Sequence, residues 1–497
     1  MLKHLFLCSL PLLLLAPRPA SAQDPPPANS LNERLVETEQ ECTIAGQTVP
    51  CTVTTGRLML RSDDGKPKAA MFFIAYTRRS QPASTRPVTF CFNGGPGSSS
   101  VWLHLGMLGP RRVRFPDDAS LLKPPYQLEA NPWSLLDVTD LVFIDPVSTG
   151  YSRAAADTPV TEFHGYEEDI RVVGQFIHDY TSRFLRWSSP KYLCGESYGG
   201  VRAAGLAAHL QERFNLDLNG LIVISGAINF QTLRFSSSND LPFICFLPSF
   251  TATAWYHKAL PADLQQQSLD QVVAQSRNFA FGPYAQALLQ GTSLPEAEAA
   301  RIAAELSRLT GLSTEYIRSA RLRLSMARFG KQLLRSRSRT VGRFDSRFIS
   351  RDRDDAGETA EFDASAAALF GPFTAAFNDY VRRDLKFEEE RVYEILTGNV
   401  QPWSYRTFEN RYVDASEPLR RAMTANPSMK LFAACGHYDL ATPPASMDYT
   451  LDHLGLAPEL LTNITRRNYE AGHMMYIHEP SMIRLREDLL QFYEQSR

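Results

Sequence analysis

The chain has 497 residues, of which 44% are hydrophobic and 21% are charged, and its formal net charge is −2. This balance is typical of a folded globular protein and argues against a disordered chain. Near-neutrality gives no general case for nucleic-acid binding. The length exceeds one average domain, and we expect one core with an inserted lobe rather than several independent domains.

The N-terminus predicts a cleaved secretory signal peptide over residues 1–22. Lys3 precedes an apolar run over residues 5–16, and Ala20-Ser21-Ala22 supplies the small residues that a signal peptidase needs. The alternative is a membrane anchor, but the run is shorter than the roughly 20 residues of a bilayer span. We therefore expect an exported protein, periplasmic or secreted, with no stable membrane span.

The cysteines predict one disulfide and no metal site. Cys42 and Cys51 flank a short loop, and in an oxidising compartment we expect them to be bonded to each other. Four further cysteines lie in apolar stretches and are expected to be small buried residues: Cys91, Cys194, Cys245 and Cys435. Because the sequence has no Cys-X-X-Cys or His-rich metal spacing, we expect neither a metal nor another cofactor.

The hydrophobic pattern predicts an α/β core. Residues 49–78 have strand character on both sides of the turn-forming Asp63-Asp64-Gly65-Lys66, which indicates an antiparallel start. Helical spacing of apolar residues occurs over 167–184 and 201–214. Short apolar runs typical of buried parallel strands occur at 88–90, 141–144, 191–193, 221–224 and 430–433. Strand-helix-strand units of this kind predict a mostly parallel central sheet with helices on both faces.

The strand pattern stops from residue 229 to residue 406. This segment is rich in Ala, Gln and Arg with helical spacing, so we interpret it as an inserted, mainly helical cap. The core would then consist of residues 23–228 and 407–497. Residues 318–353 are dense in arginine, but such a run is usually a solvated helix face paired with acids. We therefore expect no nucleic-acid partner.

The segment Gly195-Glu196-Ser197-Tyr198-Gly199-Gly200 carries the main chemical signal. It follows a predicted strand and opens a predicted helix, which is the setting of a nucleophile elbow. Its glycines permit the tight turn, and the turn raises a serine hydroxyl above the sheet at a helix N-terminus. The Gly-X-Ser-X-Gly pattern alone is only suggestive, but in this setting it predicts that Ser197 is a nucleophile.

A serine nucleophile needs a base to take its proton and an acid to orient that base. Asp439 follows the strand predicted at 430–433, and His473 follows the strand-like residues 464–469. The order Ser, Asp, His is that of α/β-hydrolases. Residues of the same types lie nearby as alternatives: His437, His478, Asp448 and Asp452. Placement directly after a core strand favours Asp439 and His473 as the acid and the base.

The glycine-rich segment Asn93-Gly94-Gly95-Pro96-Gly97 follows the strand predicted at 88–90. At this place the fold usually puts the first N–H donor of an oxyanion hole, which stabilises the negative charge that develops on a carbonyl oxygen. The second donor would be the N–H of Tyr198, the residue after the nucleophile. A plain turn would explain the glycines but not their location.

Taken together, these segments resemble the serine carboxypeptidase family over about residues 60–230 and 390–495. The resemblance rests on the elbow, on the Asp439 and His473 segments and on three further motifs: Asn93-Gly94-Gly95-Pro96-Gly97-Ser98-Ser99-Ser100, Asn131-Pro132-Trp133-Ser134 and Asp145-Pro146-Val147-Ser148-Thr149-Gly150-Tyr151-Ser152. It implies an α/β-hydrolase fold and release of the last residue of a peptide through an acyl-enzyme on Ser197. The expected partners are peptides with a free C-terminus.

The resemblance also implies roles for individual residues. Asn93 and Glu196 would bind the terminal carboxylate of the substrate, and Gly95 and Tyr198 would be the oxyanion donors. Because two ionised carboxylates repel each other, Glu196 needs a raised pKa to donate a hydrogen bond, which favours an acidic working pH.

Three positions depart from the family pattern. Met107 stands where a second glutamate is usual, Cys91 where a tryptophan is usual, and Ser98 where a half-cystine is usual. We hypothesise that Asn93 and Glu196 hold the carboxylate, either alone or with help from a nearby residue. Three residues near Met107 are candidates for that help: His104, Arg111 and Arg112.

The fold and the nucleophile do not by themselves fix the acyl acceptor. An esterase or acyltransferase that uses the same triad is therefore the alternative to a carboxypeptidase. A catalytically inactive binding protein of this fold is a third interpretation.

Overall fold

The computed structural model describes residues 31–79 and 81–496. The predicted signal peptide, residues 1–22, lies outside the described residues.

Strands predominate up to residue 154, and helices predominate from residue 241 to residue 425. The strands are β1 (Arg34–Ile44), β2 (Gln47–Arg61), β3 (Pro67–Arg78), β4 (Val88–Phe92), β5 (Arg111–Val113), β6 (Leu128–Ala130), β7 (Asp140–Ile144), β8 (Arg153–Ala154), β9 (Lys191–Glu196), β10 (Gly220–Ile224), β11 (Thr340–Val341), β12 (Ile349–Ser350), β13 (Lys430–Gly436) and β14 (Ile464–Tyr469). The α-helices are α1 (Tyr166–Arg183), α2 (Gly199–Phe214), α3 (Leu241–Tyr256), α4 (Ala262–Gln265), α5 (Leu269–Phe279), α6 (Ala285–Gln290), α7 (Glu296–Thr310), α8 (Thr314–Ser319), α9 (Met326–Gln332), α10 (Ala364–Arg383), α11 (Ser416–Ala425), α12 (Pro444–Asp452), α13 (Pro458–Leu461) and α14 (Glu479–Gln495).

The main sheet has ten strands within residues 31–79 and 81–496, in the order β1-β2-β3-β7-β4-β9-β10-β13-β14, with β8 paired to β3. The strands β1, β2 and β3 are antiparallel, and β3 is also antiparallel to β7. From β7 to β14 all neighbours are parallel. After β4 the chain adds β7 on one side and later β9 on the other. Such a reversal of strand order opens a crevice at the carboxyl ends of the strands, where ligands bind.

Alternate residues of the central strands face two apolar layers. Leu221 and Val223 of β10 pack with α1 and α2, whereas Ile222 and Ile224 pack with α10 and α14. A parallel sheet that is covered on both faces requires such continuous apolar strands, and their burial is the main stabilising contribution. The predicted α/β-hydrolase fold, with a mostly parallel sheet between helical layers, is confirmed.

The sequence pattern does not predict β1. This strand lies at the edge of the sheet, with Glu37, Glu39 and Glu41 on one face and a mixture of polar and apolar residues on the other, and most of its side chains are at least partly exposed. Charged edge strands are common because they prevent pairing between molecules. Hydrophobic periodicity is therefore weak where a strand has only one neighbour.

Between β10 and β13 the chain is mainly helical. Helices α3 to α9 contribute to an apolar cluster of their own, which includes Phe250, Leu306 and Phe329. Helix α10 instead contributes Phe373 and Phe377 to the layer that covers the main sheet. One part of the segment thus has its own core, and another completes the core of the sheet. The boundaries of the cap at residues 229 and 406 stay a prediction.

The hairpin of β1 and β2 brings Cys42 and Cys51 together as buried thiols, with their Sγ atoms 3.7 Å apart. Residues Gln40 and Cys51 are register partners, as are Cys42 and Val49, so the two cysteines are diagonal neighbours on one face. The structure does not record a bond between them, and the disulfide stays a prediction.

Among the described residues, no helix has the length and apolar character that a membrane span needs. The same residues contain no group of three or more His, Cys, Asp or Glu side chains that could hold a metal ion.

Candidate active site

Ser197 occupies the sharp turn between β9 and α2. Its φ angle is +62°, a strained value for a residue with a side chain, and such strain is concentrated at functional sites. The turn is held by hydrogen bonds from the Ser197 N–H to the Ile224 oxygen (3.0 Å) and from the Gly200 N–H to the Ser197 oxygen (2.8 Å). A side chain at Gly195 would come within 2.1 Å of the Gly199 oxygen, so the elbow requires glycine there.

Asp439 and His473 follow β13 and β14, the two strands beyond β10. The Nδ1 atom of His473 lies 2.7 Å from Oδ2 of Asp439. Asp439 also accepts hydrogen bonds from the N–H of Ala441 (2.7 Å) and from the N–H and hydroxyl of Thr442 (3.0 and 2.8 Å). These donors hold the Asp439 carboxylate in one orientation. The carboxylate in turn holds the imidazole ring of His473 in place.

Asp439 and His473 form a buried pair that stays charged in spite of its burial. Burial opposes ionisation of both groups, but the attraction between them and their hydrogen bond outweigh it. The pKa of Asp439 is consequently lowered and the pKa of His473 is raised. A carboxylate that stays ionised beside a histidine stabilises the imidazolium that forms when the histidine takes a proton.

Ser197 and His473 line the same cavity, with Glu196 and the Asn93 loop beside them. Its volume is about 190 Å³, well above the roughly 10–15 Å³ that one water occupies on the same measure, so the cavity has room for more than one water. Ser197 is partly exposed while its neighbours Glu196 and Tyr198 are buried. In the part of the chain that the structure describes, no hydrogen bond joins the Ser197 hydroxyl to His473, and such contacts often tighten only when a substrate binds.

The glycine-rich loop after β4 lies directly against the elbow. A side chain at Gly94 would come within 2.3 Å of the Tyr198 nitrogen, so only glycine permits this approach. Among the described residues, neither the N–H of Gly95 nor the N–H of Tyr198 has a hydrogen-bond acceptor. Two unused N–H groups beside a nucleophile are the requirement of an oxyanion hole.

Two buried polar side chains border the nucleophile. Glu196 accepts a hydrogen bond from the Tyr476 hydroxyl at 2.7 Å, and burial raises its pKa to about 7 against the opposing effect of the His473 charge. Asn93 accepts a hydrogen bond from the Leu103 N–H, and its buried Nδ2 has no partner within the described chain. Both side chains line the cavity and can donate hydrogen bonds to a bound anion, Glu196 when it is protonated.

The segment 343–347, from the Arg-rich part of the insert, contacts both triad loops. The His473 N–H donates to the Phe344 oxygen (2.6 Å), and the Leu440 N–H donates to the Arg343 oxygen (3.0 Å). Asp345 accepts a hydrogen bond from the Gly472 N–H and forms a buried ion pair with Arg347. The arginine-rich pattern of the sequence does not distinguish this segment from its surroundings. The one feature that could have pointed to a buried contact is the presence of Phe and Asp among the arginines.

A family model described as serine carboxypeptidase matches residues 46–456, which is most of the chain. The chain belongs to the serine carboxypeptidase family.

Individual relatives align over shorter stretches. Serine carboxypeptidase-like 36 of Arabidopsis thaliana is 27% identical over 33% of this chain and 33% of its own length. Pheromone-processing carboxypeptidase KEX1 of Yarrowia lipolytica is 32% identical over 28% of this chain and 22% of its own length. The alignments thus span a third or less of these relatives. A proline iminopeptidase from Mycobacterium smegmatis has a TM-score of 0.39 at 12% identity, covering 89% of this chain and 98% of that chain.

Met107, one of the departures from the serine carboxypeptidase pattern, is accommodated by packing. Met107 is buried in the apolar layer beside α10 and is not part of the cavity wall. His104 is buried against the Tyr76 hydroxyl at 2.7 Å, and burial lowers its pKa to about 3. Arg112 is paired with Glu129 and Glu479. Neither His104 nor Arg112 lines the cavity, and the same holds for Arg111, so the structure places all three candidate helpers elsewhere.

Proposed function

We propose that the protein is an exported serine carboxypeptidase that releases the last residue of peptides through an acyl-enzyme on Ser197. The observation that carries this proposal is the shared cavity: a serine on a strained elbow and a histidine paired with a buried aspartate line it together with two buried groups that can donate hydrogen bonds to a carboxylate.

In the proposed reaction, His473 removes the proton of the Ser197 hydroxyl as its oxygen attacks the last peptide carbonyl. The N–H groups of Gly95 and Tyr198 stabilise the charge on the carbonyl oxygen. His473 then protonates the leaving amine, and the peptide remains as an ester on Ser197. Water, deprotonated by the same histidine, attacks the ester; the Ser197 oxygen leaves and takes the proton back from His473, while Asp439 orients the imidazole throughout.

Recognition of the terminal carboxylate is assigned to Asn93 and Glu196. A neutral Glu196 can accept from Tyr476 through Oε2 and donate its own proton to the substrate. The pKa of about 7 keeps Glu196 neutral under acidic conditions. An ionised Glu196 would repel the substrate, so recognition should weaken as the pH rises through 7.

The test compares blocked dipeptides that end in a free carboxylate with their C-terminal amides and with alkyl esters of the blocked amino acid. Mass spectrometry follows the products with the wild-type protein and with Ser197→Ala. We expect Ser197-dependent release of the last residue from the free acid in strong preference to the amide. Hydrolysis of the ester alone would identify an esterase or acyltransferase instead, and no reaction at all would favour a binding protein.

Export has a separate test. The small residues at positions 20–22 predict a mature N-terminus at Gln23. N-terminal sequencing of the protein expressed with its leader and collected from the exported fraction should begin there. Retention of residues 1–22 on a membrane-bound product would instead identify an anchor.

A further inference from the structure

Arg343 places a positive charge in the wall of the cavity. Within the described residues it is the one lysine or arginine that lines it, together with Asn93, Glu196 and Ser197. Its side chain is exposed, with the guanidinium 5.2 Å from the centre of the Phe344 ring. No acid of the described chain forms an ion pair with it, whereas the neighbouring Arg347 is paired with Asp345. This cation is therefore available to a bound anion.

The backbone holds Arg343 in place. Its N–H donates to Asp363 at 2.9 Å, at the start of α10, and its oxygen accepts from the Leu440 N–H beside Asp439. The next residue, Phe344, accepts from the His473 N–H. Arg343 is thus attached to the loops that carry the acid and the base, rather than to a free surface loop.

Met107 lies outside the cavity wall, and among the described residues Glu196 is the one acid that lines the cavity and could bind a carboxylate. We infer that Arg343 binds the C-terminal carboxylate of the substrate together with Asn93 and Glu196, as a specificity-determining residue that takes the place of a second acid. This inference rests on the proposed carboxypeptidase function. It assigns the role to the insert, and not to the residues near Met107.

The chemistry of the two groups supports this assignment. A guanidinium presents a planar pair of N–H donors that matches the two oxygens of a carboxylate. It needs no proton from solution, whereas a pair of carboxyl groups must share one. Arg343 therefore supplies recognition that persists at a pH where Glu196 is ionised.

The test measures kcat and KM of Arg343→Ala and Arg343→Lys on three substrates: a blocked dipeptide acid with a neutral last residue, a blocked dipeptide acid that ends in Asp, and an alkyl ester without a carboxylate. For both acids we expect Arg343→Ala to raise KM about tenfold to a hundredfold, as loss of a charge-assisted contact should, with kcat changed little. Arg343→Lys should retain part of the affinity, because it keeps the charge but loses the planar fork. Ester hydrolysis should change far less than hydrolysis of either acid, with a small shift of its pH profile to higher pH, because the Arg343 charge opposes protonation of His473.

Arg353→Ala is the matched control. Arg353 lies in the same Arg-rich segment, its side chain is 84% exposed, and its replacement by alanine changes the net charge by the same amount. It should leave all three substrates unaffected. An Arg343→Ala effect confined to the peptide that ends in Asp would overturn the inference in favour of side-chain recognition. Equal losses on acid and ester would show that Arg343 acts through the triad loops. If the wild-type protein hydrolyses only the ester, the proposed function fails, whatever Arg343 does.

Discussion

The loops at the carboxyl edge of the sheet and the inserted segment contribute to the same cavity in different ways. Ser197, Asp439 and His473 follow β9, β13 and β14 at distances of a few residues, so the sheet itself fixes where they lie. The insert contributes Arg343 and Phe344, together with Leu369 and Phe370 of α10. The two regions show that the strand ends carry the proposed bond chemistry together with Asn93 and Glu196, and that this fold separates these groups from the recognition groups that an insert can add.

The separation is not complete. The segment 343–347 donates no side chain to the proposed triad, yet it hydrogen-bonds to the backbone of both triad loops. The insert therefore also contacts the loops of the proposed acid and base, and its two contributions can be tested separately.

The largest fall in kcat should come from substitutions in the loops that follow the strands of the main sheet. Asp439→Asn should lower kcat for any acyl substrate by about ten-thousandfold, because an asparagine no longer holds the histidine in the required tautomer or stabilises its charged form. Ser197→Ala should lower it at least as much. The measurement is kcat on the ester, which needs no carboxylate recognition. Activity within tenfold of wild type in a folded Asp439→Asn protein would refute the assignment and direct attention to Asp448.

A smaller effect is expected from the positioning part of the insert. Asp345→Asn breaks the buried pair with Arg347, which costs about 3–5 kcal/mol of unfolding free energy when one partner remains unpaired. It also loosens the Gly472 contact beside His473, and misplacement of a catalytic group can cost about a hundredfold in rate. We expect kcat to fall about tenfold to a hundredfold with KM changed little, measured well below the unfolding temperature.

Asp352→Asn is the matched control for Asp345→Asn. Asp352 forms a comparably buried ion pair with Lys331, also in the insert, but neither residue lines the cavity. It should lower stability by a similar amount and leave kcat unchanged. If both variants lower kcat equally, the loss reflects general destabilisation, and the segment 343–347 has no positioning role.

Recognition of the free-acid substrate should depend on pH through Glu196. Because His473 must be neutral to act as the base, acid and ester substrates should share a rise of kcat/KM with pH. Above pH 7 only the acid substrate should lose activity, severalfold by pH 8.5, as Glu196 ionises. Glu196→Gln should remove this decline. Parallel profiles for acid and ester in the wild-type protein would refute the role of Glu196.

The same pKa shift affects stability. The pKa of Glu196 is raised by burial from 4.5 to about 7, so the stability that its neutral form provides is complete below pH 4.5 and is lost as the pH rises through 7. Glu196→Gln should therefore gain up to about 2–3 kcal/mol over the wild type at pH 8 relative to pH 4. The charged groups around it, His473 and Asp439, remain in the variant. Thermal unfolding at the two pH values measures this difference.

The smallest effect on catalysis is expected from the hairpin of β1 and β2, which carries Cys42 and Cys51. If Cys42 and Cys51 are bonded in the exported protein, the double variant Cys42→Ser, Cys51→Ser should lose about 2–3 kcal/mol of unfolding free energy with unchanged kcat. Thiol titration of the unfolded protein before and after reduction should show two additional thiols. No additional thiols would mean that the pair stays reduced.

The sequence was informative where local chemistry is strict. Buried parallel strands need continuous apolar runs, and the turn at Ser197 needs glycines at set positions, so the sheet and the location of the elbow could be predicted. Arg343 and Asp345 could not be found in this way. Their positions depend on how a long insert folds back onto the Asp439 and His473 loops, and nothing in an arginine-rich helical pattern distinguishes a cavity-facing arginine from a solvated one.

The most direct test of the proposed acyl-enzyme mechanism is intact-protein mass spectrometry after rapid quenching of the enzyme with a blocked dipeptide acid, followed by peptide mapping. The mechanism predicts a mass increase equal to the acyl part of the substrate, located on Ser197, absent from Ser197→Ala and accompanied by release of the last amino acid. An acyl group on another residue, or release of the last amino acid by Ser197→Ala at the wild-type rate, would contradict it.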